Sequence, residues 1–471
     1  MLRRPMLLSR DAFVDIFPSA PQLTMPVHEL IQRFVQLGLD PSKCRAFVEQ
    51  LVKAGRLRAD DFHLDAFDDG GLVLSEQALY FDVGEWTFTA GTSEGFVSSR
   101  LEPDQLEAAA DIVRIAAHGD DLDELREACD FLDDDVFARM TRKDEGAPRW
   151  PLADRPGIYR REHASLLVRS RTSAVLLDPL FMHTMGMKPL RRAPSAVGSD
   201  VLDAIAITHS HGDHWHLPSI LAAAPSADTT VIVPRVPRRS LLTSHVFDEE
   251  LALVGQRRHV AEWHSTMTVG DIRIDVLPFY GEQPCAEPPG PPPGLRSFGN
   301  CYRFETPDFS AIALVDSGRD PDGDLVDVVR RSSELRGPPD VVLACMRNFP
   351  SPFFGGLGHY WAALPFARLR ELFDQFRRGT LPFTTAGTEG LVDVCAASGA
   401  RYFLPYADGF EAVGAPISDI GWGMREPAEA ERIAVLERRL REAGLHAEAR
   451  TWNPGDRACF GADRALEIVR C

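Results

Sequence analysis

The chain has 471 residues, with 51 Lys and Arg against 69 Asp and Glu, and a net charge of −18 at pH 7. That balance disfavours nucleic acid as a partner, because phosphate binding needs a basic surface. The length allows two domains with ample core, and no apolar run reaches the ~18 residues that a membrane span needs.

The first residues, Met1 to Leu8, are basic and then briefly apolar, and Arg10 and Asp11 break the run too early for a secretory signal. Eight Cys (Cys44, Cys129, Cys285, Cys301, Cys345, Cys395, Cys459 and Cys471) are scattered without a C-x-x-C pair. That spacing argues for a reducing cytoplasm and against a zinc ribbon or disulfide scaffold.

Residues 1–145 read as a separate small α+β unit. Val27 to Val35 and Lys43 to Val52 have helical apolar spacing, with Asp40-Pro41-Ser42 as turn and N-cap between them. Leu72 to Leu74, Ala78 to Phe81 and Trp86 to Thr89 are expected as strands, so the unit is winged-helix-like. Acidic helices from Pro103 to Ala117 and Leu122 to Arg139 argue against DNA binding, and a docking or dimerisation role, with a homodimer as one outcome, is expected instead. The linker Asp144 to Pro151 then leads into a second unit, residues 150–471.

Within the second unit, Ser165 to Arg169 and Ser173 to Pro179 read as strands. The apolar run Ala204 to Ile207 then ends in Thr208-His209-Ser210-His211-Gly212-Asp213-His214, an H-x-H-x-D-H pattern. A buried strand fixes the loop that follows it, which is a sensible place for a metal site. His209 and His211 are two apart, so in extended chain both imidazoles reach one cation. Asp213 and His214 lie beyond the turn and can reach a second. His216, inside the helix start that follows, is expected to be partly exposed. Asp316 closes another apolar run, Ala311 to Val315. The Pro-rich stretch Pro284 to Gly294 can be neither helix nor central strand, and is expected to be a surface loop near the site.

These motifs resemble the metallo-β-lactamase fold superfamily, in its lactonase-like and phospholipase-D-like branch. The resemblance covers about residues 150 to 460 and implies an α/β, four-layer αββα fold behind the small N-terminal unit. It also implies that Asp178 supports the ligands without joining them, and that Asp316 bridges two metal ions. Hydrolytic members supply a third His to the first metal from the stretch that here runs from Ile272 to Pro284. This chain has no His there, and Glu282 falls in its place.

Two His with a carboxylate suit non-haem iron, while zinc tolerates either ligand set. The pattern is similar to the diiron branch of the fold, exemplified by the β-hydroxylase of chloramphenicol biosynthesis. That enzyme acts on an amino acid held by a carrier-protein domain and also has an extra N-terminal domain. The last ligand of the second metal, a His in a late strand-end turn elsewhere in the superfamily, is missing from Tyr402 to Phe410. Asp408 and His359 are the two candidates for it, and a mononuclear site stays open.

Three readings follow. The first is a diiron, O2-dependent oxygenase of a biosynthetic pathway. It would use a small-molecule or carrier-bound substrate and an external electron donor, since no flavin or haem motif is present. The second is a zinc or manganese hydrolase of an ester, lactone or phosphodiester, and the third a scaffold that has lost catalysis. The intact motif and Asp316 oppose the third. Asp213, Glu282 and Asp316 are the expected catalytic groups in either enzyme, and His209, His211, Asp213, His214, Glu282, Asp316, His359 and Asp408 the expected metal ligands.

Overall fold

The computed structural model describes residues 12–18, 24–83, 85–92, 95–118, 122–130, 134–141, 155–161, 163–180, 202–224, 226–349, 360–407 and 428–470. Two large sheets organise the chain. The first has eight strands, in the order Leu466–Val469, Arg457–Phe460, Gly157–Arg160, Leu166–Arg169, Ala174–Leu177, Ala204–Ala206, Thr230–Pro234 and Arg258–Ala261. The second has seven, in the order Thr266–Val269, Ile272–Pro278, Asn300–Glu305, Ser310–Ala313, Val341–Ala344, Tyr402–Pro405 and Glu448–Ala449.

Alternation along the strands of the first sheet assigns each residue to one of two cores. Leu166, Val168, Val175, Leu177, Ala204, Ala206 and Ile232 face the second sheet and pack with Ile272, Ile274 and Val276. Their neighbours Leu167, Leu176, Ile205, Ile207, Val231 and Val233 point the other way, into a core shared with the helices Leu106–His118, Leu217–Ala223 and Phe247–Leu253. A sheet buried on both faces needs apolar residues at every strand position, and these strands are written that way. The Ala174–Leu177, Ala204–Ala206, Thr230–Pro234 and Arg258–Ala261 strands run parallel.

On the outer face of the second sheet lies the helix Leu325–Arg336. The buried Arg303 guanidinium donates to its Ser332 and to the Gly337 carbonyl at 3.4 and 3.0 Å, and Arg336 Nε donates to Asp275 at 3.0 Å. The arrangement is helix, sheet, sheet, helix: the four-layer αββα architecture.

The described residues up to Thr141 contribute to the surrounding cores. The strands Ala12–Pro18, Trp86–Thr92 and Gly95–Leu101 form a three-stranded antiparallel sheet, whose Trp86 and Phe88 pack in the core that holds the helix Leu217–Ala223. The helices Thr24–Gln36 and Pro41–Lys53 cover the segment Tyr360 to Leu381. Phe34 meets Phe67, Trp361 and Phe366 edge-on, at centroid distances of 5.7, 5.2 and 6.3 Å. Asp40 caps the second helix by accepting from Lys43 N at 3.0 Å.

Three elements differ from the sequence-based expectation. Leu72 to Leu74 is not a strand and makes only isolated bridges, Leu72 to Pro365 and Leu74 to Phe62. Ala78 to Phe81 is not a strand: Glu76–Leu79 is a helical turn, and only Tyr80 makes a bridge, to Ser240. Ser75 O accepts from both Ala78 N and Leu79 N at 3.0 Å, which closes the turn before an extended run can start. The helix expected from Leu122 to Arg139 is two helices, Leu122–Ala128 and Asp134–Met140.

Candidate metal centre

Three loops at the strand ends between the two sheets carry the centre. The His-rich loop follows Ala204–Ala206 and is stitched to the opposite sheet, since Asn300 N donates to Thr208 O at 2.7 Å and His209 bridges Gly299. His209 is fully buried, with its ring stacked on Phe279 at 5.1 Å. Its Nδ1 lies 3.0 Å from the Thr208 hydroxyl, which leaves Nε2 facing inward. His211 is held in the reverse sense, with Nε2 at 2.7 Å from the Tyr360 hydroxyl and Nδ1 facing inward.

Glu282 meets both rings. Its Oε2 lies 3.0 Å from His209 Nε2 and 2.9 Å from His211 Nδ1, and those nitrogens are 3.0 Å apart. The loop that delivers it is tightly built. Gly281 and Glu282 both have positive φ, 93° and 49°, and a Cβ on Gly281 would sit 2.1 Å from the Thr384 carbonyl oxygen. Only glycine fits at 281, because the left-handed backbone and the close approach both exclude a side chain. Gly318 N and the Ser317 hydroxyl donate to Tyr280 O at 2.7 and 2.8 Å, pinning this loop to the one that carries Asp316.

A second group of ligands adjoins the first. His214 Nδ1 lies 2.9 Å from Asp178 Oδ2, and Asp178 also accepts from Thr208 N and Oγ1 at 2.8 and 2.6 Å. This fully buried carboxylate sits at φ 40° and orients His214 without facing the centre. His214 Nε2 is therefore turned toward Asp316 Oδ2, at 3.0 Å, and lies 3.9 Å from Asp213 Oδ2. The His209 and His214 rings are 4.1 Å apart, so the two groups are contiguous.

The donor set fits metal ions. Glu282 Oε2, His214 Nε2 and Asp316 Oδ1 are buried yet make no hydrogen bond, although Glu282 Oε2 and His214 Nε2 each lie within 3.0 Å of an opposite partner. Buried polar atoms are nearly always hydrogen-bonded. Atoms packed this closely without hydrogen-bond alignment point at a common centre instead. His209, His211 and Glu282 form one group of ligand atoms within 4.8 Å of one another, and His209, His214 and Asp316 form another.

The electrostatics agree. Burial opposes charge on Glu282, but the His211 and His209 imidazoles outweigh it and lower its pKa to about 2. Burial likewise opposes charge on His214, and Asp213, Asp178 and Asp316 together raise its pKa well above 6.5. His209 is lowered, by burial first and by His214 next. An ensemble of buried imidazoles and carboxylates whose charges depend on one another is what a cation would settle.

Six of the residues singled out from sequence meet here: His209, His211, Asp213, His214, Glu282 and Asp316. His359 and Asp408 lie outside the described residues. His216 is not partly exposed, as its place in the helix start implied. It is buried as the N-cap of Leu217–Ala223, with Nδ1 accepting from Ser219 N at 3.2 Å and Nε2 lying 3.7 Å from Asp15 of the N-terminal sheet. Sequence reasoning missed three groups. Tyr360 orients His211. Tyr406, one residue beyond the strand Tyr402–Pro405, is fully buried, and its phenol is kept neutral by burial and by Asp178 and Asp316 nearby. His163 reaches Asp213 Oδ2 at 3.0 Å. None of the three belongs to a short motif, and only an aromatic or a His beside a strand end could have marked them.

Residues 173–299 match the model of the Beta-lactamase superfamily domain. Among solved structures, the chain is similar to CmlA, a diiron β-hydroxylase from Streptomyces venezuelae, at 15% identity over 100% of both chains with a TM-score of 0.57. A mutant of the CmlA β-hydroxylase matches at 14% identity, over 99% of this chain and 100% of the other, with a TM-score of 0.56. At these identities the likeness is one of fold. No curated protein matches the sequence.

Proposed function

From the premise that this protein has the metallo-β-lactamase fold, we propose that it is a dinuclear-metal enzyme, a diiron O2-dependent oxygenase acting in a biosynthetic pathway. The observation that carries the reading is Glu282, whose carboxylate stands against His209 and His211 where hydrolytic relatives use a third imidazole. Two imidazoles and a carboxylate form the harder set that suits ferrous iron. The similarity to a diiron β-hydroxylase over the full length of both chains supports the same reading.

His209, His211 and Glu282 would hold one metal, His214 and Asp213 the other, and Asp316 would lie between them. Iron there would supply dioxygen chemistry at an unactivated carbon, with electrons from an external donor. The protein's part is positional. Phe279 closes the apolar side against His209, and Tyr360 and Asp178 fix the rings of His211 and His214. Glu282 and His209 are shielded from water, while His211 and Asp213 keep side-chain exposures of 18% and 24%. Among the described residues, substrate therefore approaches over the turn from His211 to Asp213. Either a free small molecule or one held on a carrier protein is compatible with that side, as are a docking or dimerisation role for residues 1–145 and a cytoplasmic setting.

A zinc or manganese hydrolase is the second reading, and one observation favours it. Asp213 is partly exposed beside the buried ligands, where it can orient a water for attack on an ester, lactone or phosphodiester.

Elemental analysis with an absorption spectrum, on protein purified without added metal or chelator, decides between them. About two iron per chain with a near-ultraviolet band supports the oxygenase. Zinc that persists after expression in iron-rich medium overturns it and favours the hydrolase.

A further inference from the structure

We infer that His163 is a ligand of the second metal, replacing the imidazole that the late strand-end turn lacks in this chain. The inference rests on the dinuclear reading above but not on which metal is bound.

His163 sits in the connection between the antiparallel strands Gly157–Arg160 and Leu166–Arg169, far in sequence from the H-x-H-x-D-H motif. Its side chain is 3% exposed. Nε2 lies 3.0 Å from Asp213 Oδ2, the same oxygen that His214 Nε2 approaches at 3.9 Å. The His163 and His214 rings meet edge to face at 5.0 Å. One ligand atom from each of His163, Asp213 and His214 thus falls within a 4.8 Å group, the third such group at the centre.

The backbone explains how an upstream hairpin can serve this corner. Ala407 N donates to His163 O at 3.2 Å, so the hairpin is fastened to the residues just after the late strand Tyr402–Pro405. The place where that turn would bring an imidazole is therefore the place His163 enters from the other sheet. Tyr406 is the first residue of the turn, and the described imidazole that follows, His446, is exposed. His163 itself has φ 48°. A left-handed backbone is uncommon outside glycine, though His is among the residues enriched there, and such strain persists where function requires it.

Two imidazole nitrogens that converge on one carboxylate oxygen form an arrangement that a shared cation would complete. Histidine and aspartate oxygen are ligands that iron, zinc and manganese all accept.

The test uses the full-length protein, stripped and reloaded with Fe(II) under anaerobic conditions or with Zn(II), and counted by elemental analysis after desalting. The expected result is two metals per chain for the wild type and one for His163→Ala. His163→Cys, which keeps a ligating atom, should recover part of the second metal, and His359→Ala and Asp408→Asn should keep two. The inference fails if His163→Ala still holds two, if the wild type holds only one, or if the second metal is lost in His359→Ala or Asp408→Asn instead. Should His163→Ala not fold, X-ray absorption of the zinc-loaded wild type takes its place. His209, His211, His214 and His163 predict an average of two imidazoles per metal, and an average of one and a half overturns the assignment. Because the count reads iron and zinc alike, its failure is distinct from failure of the oxygenase reading.

Discussion

Glu282 with His209 and His211, and Asp213 with His214 and Asp316, make two neighbouring corners built on different terms. In the first, a strained two-residue turn drives a carboxylate into contact with two rings, and both rings are held from behind, by Thr208 and by Tyr360. In the second, His214 is held as firmly, by Asp178, but its partner Asp213 is 24% exposed. Both corners leave one ligand with an exposed edge, His211 and Asp213, but only the first carries its carboxylate on a strained turn. The strained turn would anchor a metal at the first corner, while Asp213, the most exposed of the six ligands, is where substrate or water can change the coordination. That division suits a centre in which one ion is anchored and the other reacts.

The largest effect should come from the anchored corner. Glu282→Ala leaves the His209 and His211 imidazoles facing each other without a carboxylate, and the metal at this corner should be lost outright. The fall in affinity should exceed the roughly 10–100-fold cost of losing a supporting partner. Equilibrium dialysis against Fe(II) and Zn(II) measures it, and a full complement of metal in the variant would remove Glu282 from the ligand set. Glu282→His sharpens the point by restoring a three-imidazole site. It should shift the preference from iron toward zinc, read as the metal ratio after loading from an equimolar mixture.

The two corners also differ in how much of them could be read from sequence. His209, His211, Asp213 and His214 lie within six residues, and one strand end delivers them all. Asp316 closes an apolar run, but it was the resemblance to the superfamily that singled it out and put Glu282 in the place of the third imidazole. His163 escaped because nothing local marks it. It comes from a hairpin that precedes the motif, its conformation is left-handed, and its partners are fixed only when the two sheets pack. His216 was misjudged for a related reason. A residue at a helix start is exposed unless something covers it, and here Asp15 of the N-terminal sheet does. The apolar pattern that fixed the sheets says little about the first 141 residues, where Ala78 to Phe81 is too short a run to distinguish a strand from a turn of helix.

Asp178→Asn tests the rigidity of the second corner. The amide can keep one of the contacts to Thr208 and His214 but cannot supply the negative charge that makes the ring a stronger ligand. Affinity for the second metal should fall about 10–100-fold, with a smaller loss at the first through the Thr208 hydroxyl that links Asp178 to His209, seen as two separated steps in a calorimetric titration. Equal weakening of both steps would mean that the corners do not differ as described.

pH separates the metal-free from the loaded protein. In the metal-free protein the pKa of His214 is raised well above 6.5 by the surrounding carboxylates, and His211 is raised too. A raised folded pKa stabilises fully below the unfolded value and is lost as pH rises through the folded one. His209, lowered by burial, opposes this. Metal binding has the opposite sign, because every imidazole must first lose its proton. Between pH 6 and 9 the metal-free Tm should fall while the gap to the loaded protein widens by roughly a few degrees. Differential scanning calorimetry with and without metal checks the sign, and a gap that narrows with pH would place the histidines elsewhere.

The smallest effect should come from Tyr360→Phe. The hydroxyl 2.7 Å from His211 Nε2 is the outer support of the one anchored-corner ligand with an exposed edge, at 18%. Removing it leaves the ring in place, since Glu282 and His209 still crowd Nδ1, but it frees the ring to rotate and removes one oriented hydrogen bond, worth about 1 kcal/mol. Metal affinity at the first corner should therefore drop by no more than about tenfold, and the fold should be untouched because the ring of Tyr360 still fills its apolar place. If this variant instead lost the metal as completely as Glu282→Ala, the rigidity of the first corner would come from the support behind the ligands rather than from the strained turn that carries Glu282.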